Sequence, residues 1–231
     1  MYDSGEFSKN VTNGSFKNIY PGNYIVKTKT IDGVTYTDSI DIVVSLDPYY
    51  GKFDGSAILK THHVGIIPYT HLGYSVMNTT NTAVGGYYYS YLRNTTLPKY
   101  LTGYKNAYGA NHFLTFGELI SNAIDGNAAA FTHVSTGRSK SWGWYKTQIT
   151  TMSEIQVCGS MTYSCGVDVG EANNQLAAFR IDHTLQNYQN GSFWLRGVAG
   201  MEEFSMSHGY GFIGCNVAST SYGVCPLLLL Y

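Results

Sequence analysis

The segment that most restricts the fold is 192–231. Its residue types alternate with the period of two that is typical of β-strands joined in hairpins. It contains the stretch HGYGFIG, from His208 to Gly214, whose G-x-G-x-x-G spacing is that of a dinucleotide-binding loop. Such a loop requires a following helix, a returning parallel strand and an acidic residue about 20 positions later. Between Cys215 and Tyr231 there is no Asp or Glu and no helical apolar period. We therefore interpret these glycines as turn residues of hairpins.

Upstream of this segment, the predicted strands and helices do not follow one another in a regular β-α-β order. Asp32-Gly33 lies between two alternating stretches and predicts a β-hairpin over 23–44. A buried strand is predicted over 57–68, ending at Pro68. The stretch LLLL at 227–230 is too short to span a bilayer and is typical of a terminal core strand, so we expect no membrane insertion.

Four stretches have helical patterns. Helical spacing predicts a helix over 95–109 that ends at Gly109. A second is predicted over 115–124, with Thr115 and Glu118 at the spacing of a capping box. Shorter helical pieces are predicted within 150–159 and 170–182. Together these elements predict an α+β fold with short helices and a terminal antiparallel sheet.

The same patterns divide the chain into three parts. Residues 1–15 are polar and are predicted to be a loose N-terminal end or linker. Residues 16–56 form an N-terminal segment that contains the β-hairpin, and 57–231 form the main domain.

Charge and composition limit the partners of the chain. A formal net charge of -1 with 13% charged residues provides no basic surface for phosphates, so we expect no nucleic-acid partner. The chain has 21 Tyr and 26 Gly, which is typical of adaptable binding loops but also of a β-rich protein that needs turns and strand-forming aromatics. Composition alone leaves both interpretations open.

No pattern in the sequence requires catalysis, a metal or a cofactor. His62 and His63 are neighbours that would point to opposite faces of a strand, which favours a structural role for a buried histidine. The cysteines at 158, 165, 215 and 225 are spaced too widely for a typical zinc site and are predicted to be free thiols. We therefore expect no catalytic residues, no metal site and no enzymatic activity.

The C-terminal half resembles a known family. The stretches MSEIQVCG, CGVDVGEANNQLAAFRID and SFWLRGVAG, followed by FSMSHGYGFIGCNVASTSYGVCP, resemble the C-type-lectin-fold domain of phage structural proteins from gut phages and prophages. Earlier stretches, such as THHVGIIP, resemble its N-terminal portion. In that family a tryptophan–leucine–arginine motif opens the last sheet and a glycine–valine–arginine–proline motif closes it. Trp194-Leu195-Arg196 and 223–226 occupy those places, with Cys225 where the family has arginine.

The resemblance implies a C-type-lectin-like fold and a non-enzymatic virion protein. Such a protein would be a fibre, decoration or receptor-binding component, related to the variable proteins of diversity-generating retroelements and assembled in the bacterial cytoplasm. Its partners would be a bacterial cell-surface glycan or protein and other virion proteins, and a homo-oligomer such as a trimer is expected. Two alternatives remain open: an oxidase of the formylglycine-generating type, which shares this fold superfamily, and a purely architectural capsid or tail protein.

The stretch between the two motifs is the predicted ligand-binding surface. In a period-2 strand the even-numbered positions 204–212 share one face, which would display aromatic rings, a thioether and an imidazole. The alternative is that this face is core. The predicted ligand contacts are Phe204, Met206, His208, Tyr210, Phe212, Asn216, Thr220 and Tyr222. The predicted structural residues are Trp194, Arg196 and Asp168, with Arg196 buried against a carboxylate, Asp168 first and Glu154 second.

Overall fold

The structure is a computed structural model that describes residues 5–122, 141–160, 162, 174–185 and 191–231. Its first element is helix α1, Glu6–Thr12, which buries Phe7 and Val11 in the core. The expectation of a loose polar end is therefore wrong for this part of 1–15, because two apolar side chains one helical turn apart find a place in the core. Residues 1–4 lie outside the described residues.

The first sheet has five antiparallel strands in the order β1-β2-β3-β12-β7. The predicted hairpin is confirmed, because Asp32 and Gly33 both adopt positive φ in the turn between its two strands. The predicted strand at 57–68 occupies only its last five residues, which are all buried. The strands are β1 (Tyr24–Ile31), β2 (Val34–Leu46), β3 (Val64–Pro68), β7 (Ile149–Thr151) and β12 (Pro226–Leu230).

This sheet crosses the predicted boundary between 56 and 57. Strand β3 pairs with β2 from the N-terminal segment on one side and with β12 on the other. The hairpin segment and the C-terminal strand therefore belong to one hydrogen-bonded sheet. Strand β12 is buried along its whole length, as expected for LLLL.

The second sheet also has five strands, in the order β10-β9-β8-β11-β4, and a separate pair is formed by β5 and β6. Neighbouring strands are antiparallel except for β8 and β11, which meet in parallel where Phe193 pairs with Gly223. The strands are β4 (Tyr74–Val76), β5 (Phe116–Asn122), β6 (Ser141–Thr147), β8 (Phe193–Val198), β9 (Glu203–Ser207), β10 (Ile213–Val217) and β11 (Ser221–Gly223).

Strand β5 replaces the helix that was predicted over 115–124, so that prediction is wrong. Thr115 and Glu118 have the spacing of a capping box, but Phe116–Asn122 form seven residue pairs with β6, and this pairing determines the local structure. A Cβ added at Gly117 would overlap the backbone of Asp54, so a glycine is needed where the two chain segments meet. Glu118 points into the interior and is buried.

The described helices are short apart from α2, Leu97–Tyr108, which ends at Gly109 as predicted and packs on β1. A π-helical turn, Leu92–Thr96, leads into it. Helix α3, Glu154–Cys158, begins with a capping box between Ser153 and Gln156. Helix α4 is Ala177–Ile181; the preceding residues 170–173 lie outside the described residues. Short 3₁₀ turns span Tyr87–Tyr89 and Ala110–His112.

Two apolar clusters form the core, and β8 lies between them. Trp194 and Val198 pack into one cluster, with α1, α2 and the inner face of the first hairpin. Phe193 and Leu195 pack into the other, with α4 and part of β12. The second sheet is thus covered on both faces at its centre. The architecture is mixed α+β, as predicted. None of the helices in the described part of the chain is long and apolar enough to cross a membrane.

Candidate functional site

The glycine pattern at 208–214 forms the turn of a β-hairpin between β9 and β10. The pairing runs from Glu203 opposite Val217 to Ser207 opposite Ile213. The His208 N–H donates to the carbonyl of Phe212 at 2.8 Å, and the Gly211 N–H donates to the carbonyl of His208 at 2.8 Å. Gly211 has φ +84°, in the left-handed region that glycine tolerates. The hairpin therefore explains these glycines without a nucleotide.

Three aromatic side chains stack at this turn, and we call them the aromatic tip: His208, Tyr210 and Phe212. The imidazole of His208 is parallel to Phe212, with centroids 4.5 Å apart and an angle of 9°, and stacks on Tyr210 at 5.0 Å and 21°. The side chain of Tyr210 is 80% exposed and that of Phe212 is 53% exposed. Two large rings are thus held in a defined arrangement while remaining open to solvent.

The histidine at the centre of the tip is partly buried. Its Nδ1 is inaccessible to solvent and has no hydrogen-bond partner among the described residues. A buried polar atom without a partner costs folding free energy. The tip therefore offers two exposed aromatic rings, whereas the Nδ1 of His208 is not accessible to a ligand in this arrangement.

Phe204 and Met206 do not belong to this surface, and the prediction that they are exposed is wrong. They are 0% and 2% exposed and pack with Trp194 in the core. The reason is that β9 is an internal strand of a sheet covered on both faces. Ser205 and Ser207, on its opposite face, are buried too. Alternation of apolar and small residues therefore marks two covered faces here, not one covered and one exposed.

Asn216, Thr220 and Tyr222 lie at the end of β10 away from the tip and contact one another. The Nδ2 of Asn216 donates to the Tyr222 hydroxyl at 2.6 Å, and the Thr220 hydroxyl donates to the Oδ1 of Asn216 at 3.2 Å. The Tyr222 ring packs edge-on against Trp194 at 4.9 Å. Of the eight predicted contacts, the structure thus brings only the three residues of the tip together at one exposed place.

Arg196 is buried and forms a two-pronged ion pair with Glu118. Its Nη2 lies 3.0 Å from Oε2 of Glu118, and its Nη1 donates to Oε1 at 3.1 Å. The partners predicted from the sequence are Asp168, which lies outside the described residues, and Glu154, whose Oε2 accepts from the Thr162 N–H at 2.6 Å. Glu118 was missed because it was assigned to a helix. The buried Trp194 donates from Nε1 to the carbonyl of Ser75 at 2.9 Å.

The same carboxylate joins a wider buried network. Tyr49 donates its hydroxyl proton to Oε1 of Glu118 and accepts from Nε2 of Gln156 at 2.8 Å. Burial, followed by the charge of Glu118, raises the pKa of Tyr49 well above its usual value. The network connects β5, β8, α3 and the segment after β2, so its contacts indicate a structural role.

A second buried network, which sequence analysis missed, lies between the first hairpin and α2. The Nζ of Lys29 is 2.5 Å from Oδ2 of Asp41, and the hydroxyls of Tyr104 and Tyr108 donate to the same carboxylate. Burial lowers the pKa of Lys29 and raises that of Asp41, while the ion pair acts in the opposite direction on both. The available signal was that both charged residues occupy inward positions of alternating strands.

The two neighbouring histidines have different environments. His63 is buried, donates from Nδ1 to the carbonyl of Thr61 at 2.8 Å and accepts at Nε2 from the Tyr49 N–H at 3.1 Å. His62 is partly exposed, with Nδ1 2.6 Å from Oδ2 of Asp47, and stacks on Tyr50. Within the described ranges, no three His, Cys, Asp or Glu side chains are grouped so that they could hold a metal ion.

Three of the four cysteines are described, and none of the three forms a disulfide: Cys158, Cys215 and Cys225. Burial and the nearby Glu203 raise the pKa of Cys215 to about 11. Cys225 is fully buried among apolar side chains. Cys165 lies outside the described residues.

The fold and this site define a mixed α+β protein that presents an exposed aromatic tip on a β-hairpin. No protein-family profile, no curated protein and no solved structure matches the chain.

Proposed function

We propose that the chain is a non-enzymatic binding protein of a phage virion, which uses the aromatic tip to bind a bacterial surface glycan or protein. The observation that carries the proposal is the exposed stack of His208, Tyr210 and Phe212 at a hairpin turn. Exposed aromatic anchors held in one arrangement lose little conformational entropy on binding and dominate the energy of many interfaces.

The fold we propose within the α+β class is C-type-lectin-like. Trp194-Leu195-Arg196 lies on β8, and 223–226 leads from β11 into β12. Phe193 and Gly223, at the edges of these two motifs, are direct partners in the second sheet. The hairpin with the tip comes between the two motifs in the chain. This is the arrangement that the family resemblance implies, and it supports the proposal.

Two alternatives receive less support from the described residues. An oxidase of the formylglycine-generating type would need reactive cysteines close to each other, but the pKa of Cys215 is raised and Cys225 is buried in an apolar cluster. A purely architectural protein would bury Tyr210 and Phe212 against a neighbouring virion protein, and the binding experiment below distinguishes this alternative from the proposal. The proposal further places the chain in the virion as a fibre, decoration or receptor-binding component, in contact with other virion proteins and as a homo-oligomer such as a trimer.

Binding of fluorescently labelled protein to a panel of bacterial strains tests the proposal. We expect at least one strain to bind the wild type, and the double variant Tyr210→Ala/Phe212→Ala to lose that binding, because an anchor of this kind contributes about 2 kcal/mol or more. Tyr20→Ala, which removes a ring of similar exposure on another surface, is the matched control. Equal binding by the double variant would contradict the proposal, and absence of binding to every strain would favour the architectural alternative.

A further inference from the structure

A second exposed aromatic site lies away from the aromatic tip. It is a cleft of about 440 Å³ between the β1–β2 turn, the start of α2 and strand β4. We call it the tyrosine cleft, because its lining includes Tyr36, Tyr74, Tyr91 and Tyr100. Its volume falls within the range of about 300–1,000 Å³ that is typical of small-molecule sites.

The cleft and the tip are on opposite edges of the second sheet. Strand β4 forms one edge and β10 the other, with three strands between them. At the usual spacing between strands, the two edges are about 19 Å apart. A small molecule in the cleft therefore does not contact the tip.

Gly73 lines the cleft next to two phenol groups. This residue has φ +82°, and a Cβ added to it would lie 3.2 Å from the hydroxyl oxygens of both Tyr36 and Tyr100. The two phenol groups thus converge on a position without a side chain. Tyr100 donates its hydroxyl proton to the carbonyl of Leu72. Because Gly73 has no side chain, a small space remains open beside the hydroxyl groups of Tyr36 and Tyr100.

The walls provide hydrogen-bonding groups and ring faces together. The hydroxyls of Tyr36, Tyr74 and Tyr91 make no hydrogen bond with the described part of the chain. Tyr74 is 66% exposed, and its ring is held edge-on by His71 with centroids 4.7 Å apart. Each free phenol can both donate and accept a hydrogen bond, while its ring offers an apolar face.

The charge of the cleft is balanced. Its one cation and one anion, Lys99 and Asp32, are paired with each other at 2.8 Å and are largely exposed. An anionic ligand such as a phosphate requires unpaired cations, and a purely apolar ligand would leave the phenols without partners. A neutral ligand that carries many hydroxyls and also has apolar C–H faces fits both the walls and the charge.

We propose that the tyrosine cleft binds a neutral saccharide. The ring of Tyr74 stacks against one face of a sugar, and the hydroxyls of Tyr36 and Tyr91 hydrogen-bond to its hydroxyl groups. Asp32 and Lys99 at the rim accept from and donate to the groups that remain exposed. The site is distinct from the aromatic tip and does not rest on the function proposed for it.

NMR titration of ¹⁵N-labelled protein with three neutral sugars tests the proposal: methyl β-galactopyranoside, methyl α-glucopyranoside and N-acetylglucosamine. We expect at least one of them to shift the backbone amides of Gly73, Ser75, Thr96 and Ser221 and to saturate. Tyr74→Ala should weaken this binding by about tenfold because it removes the stacking face. Tyr91→Phe, which keeps the ring and removes the hydroxyl, should weaken it by a smaller factor.

Two controls separate this site from the rest of the surface. Tyr20→Ala and the double variant Tyr210→Ala/Phe212→Ala should bind the sugar as the wild type does. Inorganic phosphate should leave the four amides unshifted. The proposal is overturned if none of the three sugars shifts these amides, if phosphate shifts them more strongly, or if Tyr74→Ala and Tyr91→Phe both bind like the wild type. Such a result would leave the proposal for the tip unaffected, since loss of cell binding in the tip variant is measured separately.

Discussion

Arg196 and Glu118 are far apart in the sequence but form a buried ion pair, in which Nη2 of the guanidinium lies 3.0 Å from Oε2 of the carboxylate. Arg196 lies on β8, the central strand of the second sheet, and Glu118 lies on β5, which belongs to the separate β5–β6 pair. Gln156 and the carbonyl of Thr151 also accept from the guanidinium. The pair therefore joins parts of the chain that have no strand pairing with each other.

Removing the guanidinium of Arg196 should destabilise the folded protein. Arg196→Ala leaves the Glu118 carboxylate buried without its cation, and we expect the free energy of unfolding to fall by about 3–5 kcal/mol. Urea unfolding followed by circular dichroism measures this. Arg180→Ala, at an exposed position of α4, is the control and should change stability by no more than about 0.5 kcal/mol. Equal stability of the two variants would show that the ion pair is not structural.

Phe204 and Phe212 should respond in opposite ways to truncation, although they belong to the same hairpin. Phe204→Ala creates a cavity in the core and should cost about 3–5 kcal/mol. Phe212→Ala removes an exposed ring and should cost no more than about 0.5 kcal/mol. Thermal unfolding of the two variants is the measurement. If Phe212→Ala is as damaging as Phe204→Ala, the tip is part of the core and not a binding surface.

Mild acid should destabilise the protein through His63. Burial lowers the pKa of His63 below its usual 6.5, although the Thr61 carbonyl and Asp47 act in the opposite direction. Below pH 6.5 the unfolded chain binds a proton at this position more readily than the folded chain, so stability is complete above that pH and falls as the pH is lowered. His71, whose pKa burial also lowers, adds to the effect.

Urea midpoints measured between pH 7.5 and about pH 5 should therefore decrease, and His63→Gln, which cannot take up a proton, should flatten the curve. A slope that is identical in wild type and variant would assign the acid sensitivity to other groups.

Cys158, Cys215 and Cys225 should react slowly in the folded protein. Burial, and then the charge of Glu154, raises the pKa of Cys158 to about 12, and Cys225 is fully buried. Thiolate is the reactive form, so labelling of these three thiols with a disulfide reagent at neutral pH should be slow in buffer and fast in denaturant. All four cysteines should titrate in denaturant without reductant. A lower count would indicate a disulfide, and fast labelling of more than one thiol in the folded protein would contradict the burial of the described cysteines.

Local signals in the sequence predicted the elements that local forces determine. Asp32-Gly33 gave the first hairpin because both residues tolerate positive φ, and Gly109 marked the end of α2. Strand β5 was mistaken for a helix because its capping-box spacing is local, whereas its pairing with β6 is not.

The candidate site was predicted in part for the same reason. Tyr210 and Phe212 lie at a glycine-rich turn, which the sequence marks, and they are exposed. Phe204 and Met206 precede them in the same alternation, but their burial depends on α2 and the first hairpin, which no local pattern connects to β9. The Lys29–Asp41 pair and the tyrosine cleft likewise depend on where α2 packs.

The position of β12 between β3 and β7 determines when this protein can fold. The first hairpin can form as soon as it is synthesised, but the sheet it belongs to lacks an internal strand until 226–230 have left the ribosome. Closing that gap requires contacts between residues separated by more than 150 positions in the chain, such as Leu228 with Ile66, and such contacts form slowly. Until β12 is added, the open edge of β3 can pair with other chains, so incomplete chains are exposed to aggregation during this interval.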